Sequence, residues 1–323
     1  MLQTVDEVNE MIRAGQALFL AGDEAVLRAL SPGNWIAGTI PYFMDQGGGV
    51  CSRDRIFVTP LPECVTAIEV RSNSLSTLPD ILKDAPENGF TLLILPAGSP
   101  VHAAYARDAS SYPGIFAKPV IGWVAGVHVS EIGTKLPQVV NGVTGVWSSE
   151  DAVAMHASLP AGKLAEIDTI NVFKPGTGPA ICFPATGFEA ASCQVDGASA
   201  NFADYLKRSG SDVRFPLTAD YNGAVINVCI QSVDQATGVV RFYAPVFEGV
   251  EYRLAAPLDD YVGAFESLVD KGEPPMFSCN CVLNYLYSEL EGRKTGSATG
   301  PMTFGEIANL LLNQTLVRLF IRG

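Results

Sequence analysis

The sequence predicts an α/β protein whose mixed sheets are built from repeated strand-helix-strand units in two related halves. The first observation is an apolar run of strand length at residues 17–21, followed by a short helix and a second strand at 34–40. The second observation is that the same order returns near residue 91 and again, more weakly, after residue 276. Because each unit joins two strands through a helix, we expect the strands of a unit to pair in parallel.

The first unit follows an amphipathic helix predicted over residues 3–14. Thr4 and Glu7 have the spacing of a capping box, and Gly15 ends the helix. The short helix that follows the first strand begins at the acidic pair Asp23-Glu24, which the helix macrodipole favours at an N-terminus.

The second unit comprises a strand at 91–95, a helix at 101–109 and a strand at 119–126. The third has a strand at 276–279, a helical stretch, and residues 303–306 in the place that residues 36–39 hold in the first unit. In this interpretation, Gly305 and Glu306 form a turn at a strand end.

Other elements complete the chain. The Pro- and Gly-rich residues 174–179 predict a linker, so we place the two halves at 1–175 and 180–323. The remaining predicted elements are short strands at 55–59, 67–70 and 140–147, helices at 202–208 and 259–269, and a hairpin of residues 225–230 and 239–244.

Composition excludes several classes of partner. The net charge is −13, from 34 acidic and 21 basic residues without a basic cluster, which argues against nucleic acid and against an anionic membrane surface. Only 17% of residues are charged and 48% are hydrophobic, so we expect apolar surface to be covered by the other half, by a second subunit in a homo-oligomer or by a ligand. The seven scattered cysteines and the acidic N-terminus predict a reducing, cytoplasmic location.

A set of short motifs resembles a known family. In the second half these motifs are, in order, residues 195–197, the helix at 202–206, 214–217, 247–250, the strand 277–279, 304–307 and 313–316; in the first half they are 36–39, 119–122 and 125–126. Together they resemble the FIST N- and C-terminal domains, a bacterial sensory module. The resemblance implies a small-molecule sensor for ligands such as amino acids, with haem in some relatives. Since no output domain is attached, signalling would pass through a separate protein partner.

The strand ends supply the candidate ligand-binding residues. They are Gly38, Thr39, Gly122, Trp123, Cys279, Gly305, Glu306, Asn313 and Thr315. A glycine at a strand end lets backbone N–H groups approach a ligand, and the adjacent carboxylate of Glu306 can hold an amine or a hydroxyl. The alternative is a turn glycine beside a structural carboxylate, and Asn313 and Thr315 would then satisfy nearby loops.

Two other chemistries remain open. Cys279 is a candidate nucleophile for a hydrolase, although no Cys-His spacing supplies a base. His102 and His128 are candidate haem ligands, with an ordinary structural role as the alternative for each. No zinc set, P-loop or dinucleotide-binding motif is present in the sequence. The leading hypothesis is thus a non-catalytic, small-molecule-binding sensor, with no cofactor assigned.

Overall fold

The computed structural model describes residues 1–221, 224–269 and 273–323 and divides the chain into two compact units. Unit 1 comprises Met1–Ile170, Phe265–Leu311 and Leu316–Gly323, and unit 2 comprises Asn171–Ala264 and Leu312–Thr315. The first boundary lies just before the predicted linker. The predicted second half, 180–323, is divided between the units, because the chain returns to unit 1 at Phe265.

The first repeat of unit 1 confirms the predicted strand-helix-strand order. Thr4 and Glu7 form the predicted capping box: the Glu7 N–H donates to the Thr4 hydroxyl, and the Glu7 carboxylate accepts the Thr4 N–H at 2.7 Å. The helix that follows buries Val8 and Ile12 against the first sheet. The elements are β1 (Leu2–Gln3), α1 (Val5–Arg13), β2 (Leu18–Gly22), α2 (Glu24–Leu27), β3 (Trp35–Thr39), β4 (Tyr42–Asp45), β5 (Gly48–Cys51) and β6 (Ile56–Pro60).

The second repeat has the same order of elements, and its predicted strands and helix are confirmed. Its helix begins where the Ser99 hydroxyl accepts the His102 N–H, with Pro100 in the first turn. The elements are β7 (Ala67–Asn73), β8 (Gly89–Pro96), α3 (Pro100–Asp108), β9 (Val120–Ala125), β10 (Val139–Asn141), β11 (Val146–Ser148) and β12 (Ala152–Ser158). β13 (Leu164–Ile170) then opens a third repeat, and unit 2 follows directly.

Unit 2 is a β-rich unit with one core. A six-stranded sheet, a three-stranded sheet and α4 enclose apolar side chains that include Ile181, Phe202 and Tyr252. The elements are β14 (Ile181–Cys182), β15 (Gly187–Ala190), β16 (Ser192–Val195), β17 (Ala198–Asn201), α4 (Phe202–Ser209), β18 (Leu217–Tyr221), β19 (Ala224–Val228), β20 (Ile230–Asp234), β21 (Val239–Val246) and β22 (Glu251–Leu254).

The predicted hairpin in unit 2 was wrong in its first strand. β21 pairs with β20, whereas β19, which holds most of the predicted strand 225–230, pairs with β18. The apolar run is split at Cys229, between β19 and β20, and the turn of the true hairpin contains Gly238 at a φ of 73°. The apolar pattern alone did not show where one strand ended and the next began.

The third repeat resumes after unit 2. Its elements are α5 (Tyr261–Leu268), β23 (Phe277–Cys281), α6 (Val282–Tyr287), β24 (Gly300–Thr303), β25 (Glu306–Ala308), β26 (Leu310–Leu312) and β27 (Leu316–Arg322). The second strand of this unit lies at 300–303 rather than at the predicted 303–306. The difference arises because Glu306 belongs to the next strand, β25, which joins a different sheet.

The three repeats build three six-stranded mixed sheets by exchanging strands. Each sheet centres on a parallel pair, β2 with β3, β8 with β9 and β23 with β24, as the helical crossovers predict. The hairpin that follows each pair leaves its own sheet: β4–β5 joins β24, β10–β11 joins β3, and β25–β26 joins β9. The chain then returns, so that β6, β12 and β27 each flank the first strand of their own pair. Unit 1 is therefore a threefold repeat with unit 2 inserted in its third copy.

The helices are short throughout the residues that the structure describes. None of them is long and apolar enough to cross a membrane.

Candidate functional site

Six of the predicted site residues meet inside unit 1. Glu306 in β25 pairs with Trp123 in β9, and the Cys279 thiol of β23 donates to the Gly122 carbonyl oxygen at 3.3 Å. Trp123, Cys279 and Glu306 are each at most 1% exposed. Gly305 lies immediately before Glu306, and its carbonyl oxygen accepts the Val124 N–H at 2.8 Å. The threefold strand exchange thus brings together residues that are far apart in the sequence.

Close packing explains the glycines of this cluster. A Cβ on Gly122 would lie 1.8 Å from the Leu93 carbonyl oxygen, and a Cβ on Gly38 would lie 2.6 Å from the Trp123 ring. Neither position accepts a side chain without movement of its neighbours. Both glycines therefore let strands and an indole ring approach one another.

Cys279 lies in an environment that disfavours its thiolate. Burial raises the pKa of the Cys279 thiol well above its usual value, nearby Glu306 raises it further, and a hydrogen bond with Thr303 only partly opposes this. A nucleophilic cysteine needs the opposite arrangement, with cationic or hydrogen-bond-donating groups that stabilise the thiolate. The geometry therefore argues against the hydrolase alternative at this residue.

Thr39 lies at the end of β3 and is held by backbone contacts. Its hydroxyl accepts the Gln138 N–H at 2.9 Å, and its carbonyl oxygen accepts the Gly126 N–H at 2.7 Å. It borders a cavity of about 10 Å³ that is also lined by Glu131 and Lys135, whose side chains form an ion pair at 2.9 Å. A space of this volume is about that of one water molecule.

Asn313 and Thr315 belong to the short C-terminal segment of unit 2. The Asn227 amide donates to the Asn313 carbonyl oxygen at 3.0 Å, and the Asn313 amide donates to the Leu312 carbonyl oxygen. Both Asn313 and Thr315 are buried. Gln314 lies between these two residues in the sequence, and its side-chain oxygen accepts a hydrogen bond from the Cys229 thiol at 3.0 Å. These contacts fasten the segment within unit 2.

The two candidate haem ligands have different surroundings. The Nδ1 atom of His102 accepts the Gly98 N–H at 3.2 Å, and burial lowers the pKa of this histidine to about 4. His128 pairs its Nδ1 with the Ser130 hydroxyl at 2.7 Å and stacks on Tyr42, with ring centroids 5.5 Å apart. No group of three His, Cys, Asp or Glu side chains within the described residues is arranged to hold a metal ion.

Unit 1 contains a cavity of about 250 Å³, open to solvent, that the sequence patterns did not indicate. Its walls are apolar and hydroxyl-bearing, and they come from the N-terminal strand, α1, β6, the start of β23 and the loop before β24. The lining residues are Met1, Gln3, Met11, 57–60, 274–278, Ser297 and Thr299. This volume lies near the lower end of the range found for small-molecule pockets.

The described residues that line this cavity have uncharged side chains. Among the residues that the structure describes, none that lines it is Asp, Glu, Lys, Arg or His. Methionines at positions 1, 11 and 276 supply flexible, polarisable wall atoms, and Phe57 and Phe277 supply aromatic ones. Ser278 is 2% exposed, and its hydroxyl donates to the Thr299 carbonyl oxygen at 2.7 Å. The only local sequence signal was the run Pro274-Pro275-Met276, whose prolines predict irregular chain beside a strand.

Comparison with known proteins assigns the chain to a family but gives it no activity. A search of proteins of curated function finds no match. A family profile matches residues 3–322, which is nearly the entire chain. The chain belongs to that family, a family of unknown function (DUF6976).

Proposed function

We propose that this protein binds a small molecule in the 250 Å³ cavity of unit 1 and acts as a non-catalytic sensor of the FIST type. The observation that supports this proposal is the cavity itself. Small-molecule sites in proteins are concave and mostly apolar, with a few placed polar groups, and this cavity has that composition. Its volume lies just below the roughly 300 Å³ at which pockets for drug-sized ligands begin, so the ligand is small.

A sensor passes its signal on because the ligand favours one conformation over another. In this proposal a separate protein partner receives the signal. We also propose a cytoplasmic location, since all seven cysteines are thiols and a reducing compartment keeps them so.

The first test is to identify what the purified protein carries. Absorbance followed by denaturing mass spectrometry reveals a released ligand, and a Soret band would show haem. In parallel, the protein is screened by ligand-detected NMR against fragment-sized compounds of every charge type. The proposal requires either a stoichiometric released compound or fragments that bind saturably.

A pair of variants locates the binding site. Met276→Trp places a larger side chain in the cavity wall and should abolish binding. Leu75→Trp is the matched control, because Leu75 is 51% exposed and is absent from the wall. Loss of binding in both variants, or in neither, would remove the cavity from the proposal.

A further inference from the structure

We infer that the cavity of unit 1 selects a neutral, mostly apolar molecule that carries a hydroxyl or amide N–H donor. The inference rests on the proposed function and deepens it by naming the class of ligand. It follows from three properties of the described wall residues: their lack of charged side chains, their apolar surface and the direction of one buried hydrogen bond.

The first property is charge. An ionised carboxylate or ammonium that enters the cavity loses part of its hydration, and without a charged partner this loss is unfavourable. The described residues of the wall supply no such side chain. The amino group of Met1 already donates to the Val58 carbonyl oxygen at 3.1 Å, and burial lowers the pKa of this amine, which favours its neutral form. An amino acid zwitterion would bring two charges and find no side-chain partner for either.

The second property is the apolar surface. Phe57 and Phe277 are buried, and Met11 and Met276 are half-buried beside them. Methionine side chains adapt their shape to an apolar partner, and aromatic rings present flat apolar faces. This combination suits a compact ligand with a ring or a short hydrocarbon body.

The third property is the direction of the Ser278 hydrogen bond. A serine hydroxyl has one proton and two lone pairs. The Ser278 proton is used by the Thr299 carbonyl oxygen at 2.7 Å, so the lone pairs are what the Ser278 oxygen has left to offer. A ligand that donates a hydrogen bond complements this oxygen, whereas a ligand that only accepts makes no hydrogen bond with it.

Four probes of closely similar size test the inference on the full chain. Benzyl alcohol and anisole are isomers, of which only the alcohol donates a hydrogen bond, while benzoate and benzylammonium carry opposite charges. Dissociation constants come from NMR titration. We expect benzyl alcohol to bind on the order of three- to tenfold more tightly than anisole, the effect of one hydrogen bond. Both ions should bind at least about tenfold more weakly than the alcohol.

The Ser278→Ala variant should remove the difference between the two isomers, and Met276→Trp should block both. The comparison of the isomers in the unaltered protein does not depend on how either variant folds. Equal binding of anisole would overturn the donor requirement, and binding of benzoate or benzylammonium as tight as that of the alcohol would overturn neutrality. In either case binding persists and the proposed function stands. If no probe binds and the purified protein releases no compound, the proposed function itself fails, and the inference fails with it.

Discussion

Acidification should destabilise unit 1 through His102. Burial lowers the pKa of this histidine from 6.5 to about 4, and its Nε2 atom is shielded from solvent without a hydrogen-bond partner among the described residues. The folded protein therefore holds His102 neutral at a pH where the unfolded chain binds a proton. Stability is complete above pH 6.5 and falls as the pH drops toward 4.

The size of the effect follows from the two pKa values. At pH 5 an unfolded histidine of pKa 6.5 is about 30:1 protonated, whereas one of pKa about 4 is about 10:1 neutral. The difference corresponds to a loss of about 2 kcal/mol of unfolding free energy between pH 8 and pH 5. This is an upper value, because the residue as a whole is only half-buried.

Urea unfolding of the wild type and of His102→Asn at a series of pH values measures this loss. Asparagine places an acceptor where Nδ1 receives the Gly98 N–H but does not titrate in this range. Between pH 7 and 9 the two curves should run parallel, which serves as the internal control. Below pH 6.5 the wild type should lose stability faster than the variant. Parallel curves down to pH 5, or an NMR titration of the His102 ring near pH 6.5, would refute the reasoning.

Two further predictions concern the interior of unit 1. Gly122→Ala should lower the unfolding free energy by about 3 kcal/mol or more, because the new Cβ would lie 1.8 Å from the Leu93 carbonyl oxygen. Gly47→Ala, where the added Cβ meets nothing within 4 Å, is the control and should change stability by less than about 0.5 kcal/mol. The Cys279 thiol should resist alkylation at pH 8 until the protein unfolds, since it is fully buried and its pKa is raised. Mass mapping of Cys279 as an early labelled site in folded protein would contradict this.

Local signals allowed much of the secondary structure to be predicted. The capping box at Thr4 and Glu7, the apolar strand that became β2 and the turn glycines all act within a few residues. The strand-helix-strand order was also readable, since a helical crossover dictates a parallel pair. Elements that depend on a few neighbouring residues could therefore be predicted from the sequence.

The exchange of hairpins between sheets was not readable in the same way. Nothing within β25 itself indicates that Glu306 pairs with Trp123, a residue far earlier in the chain. The cavity could not be predicted for the same reason, because β6 and β23 supply its wall from distant parts of the sequence. Apolar residues at its lining positions follow the same pattern as residues of a filled core.

The strand exchange makes the first two repeats of unit 1 depend on strands that are synthesised after unit 2. A nascent chain ending at residue 264 holds β9 without β25 and β4 without β24, so two sheets have an unpaired edge. Such edges are templates for pairing with another chain. The repeats thus differ from those of a solenoid, where each copy contacts only its neighbours and folding can spread from any point. Completion of unit 1 must wait until β27 has been synthesised, and any chaperone that shields those edges would have its greatest effect in that interval.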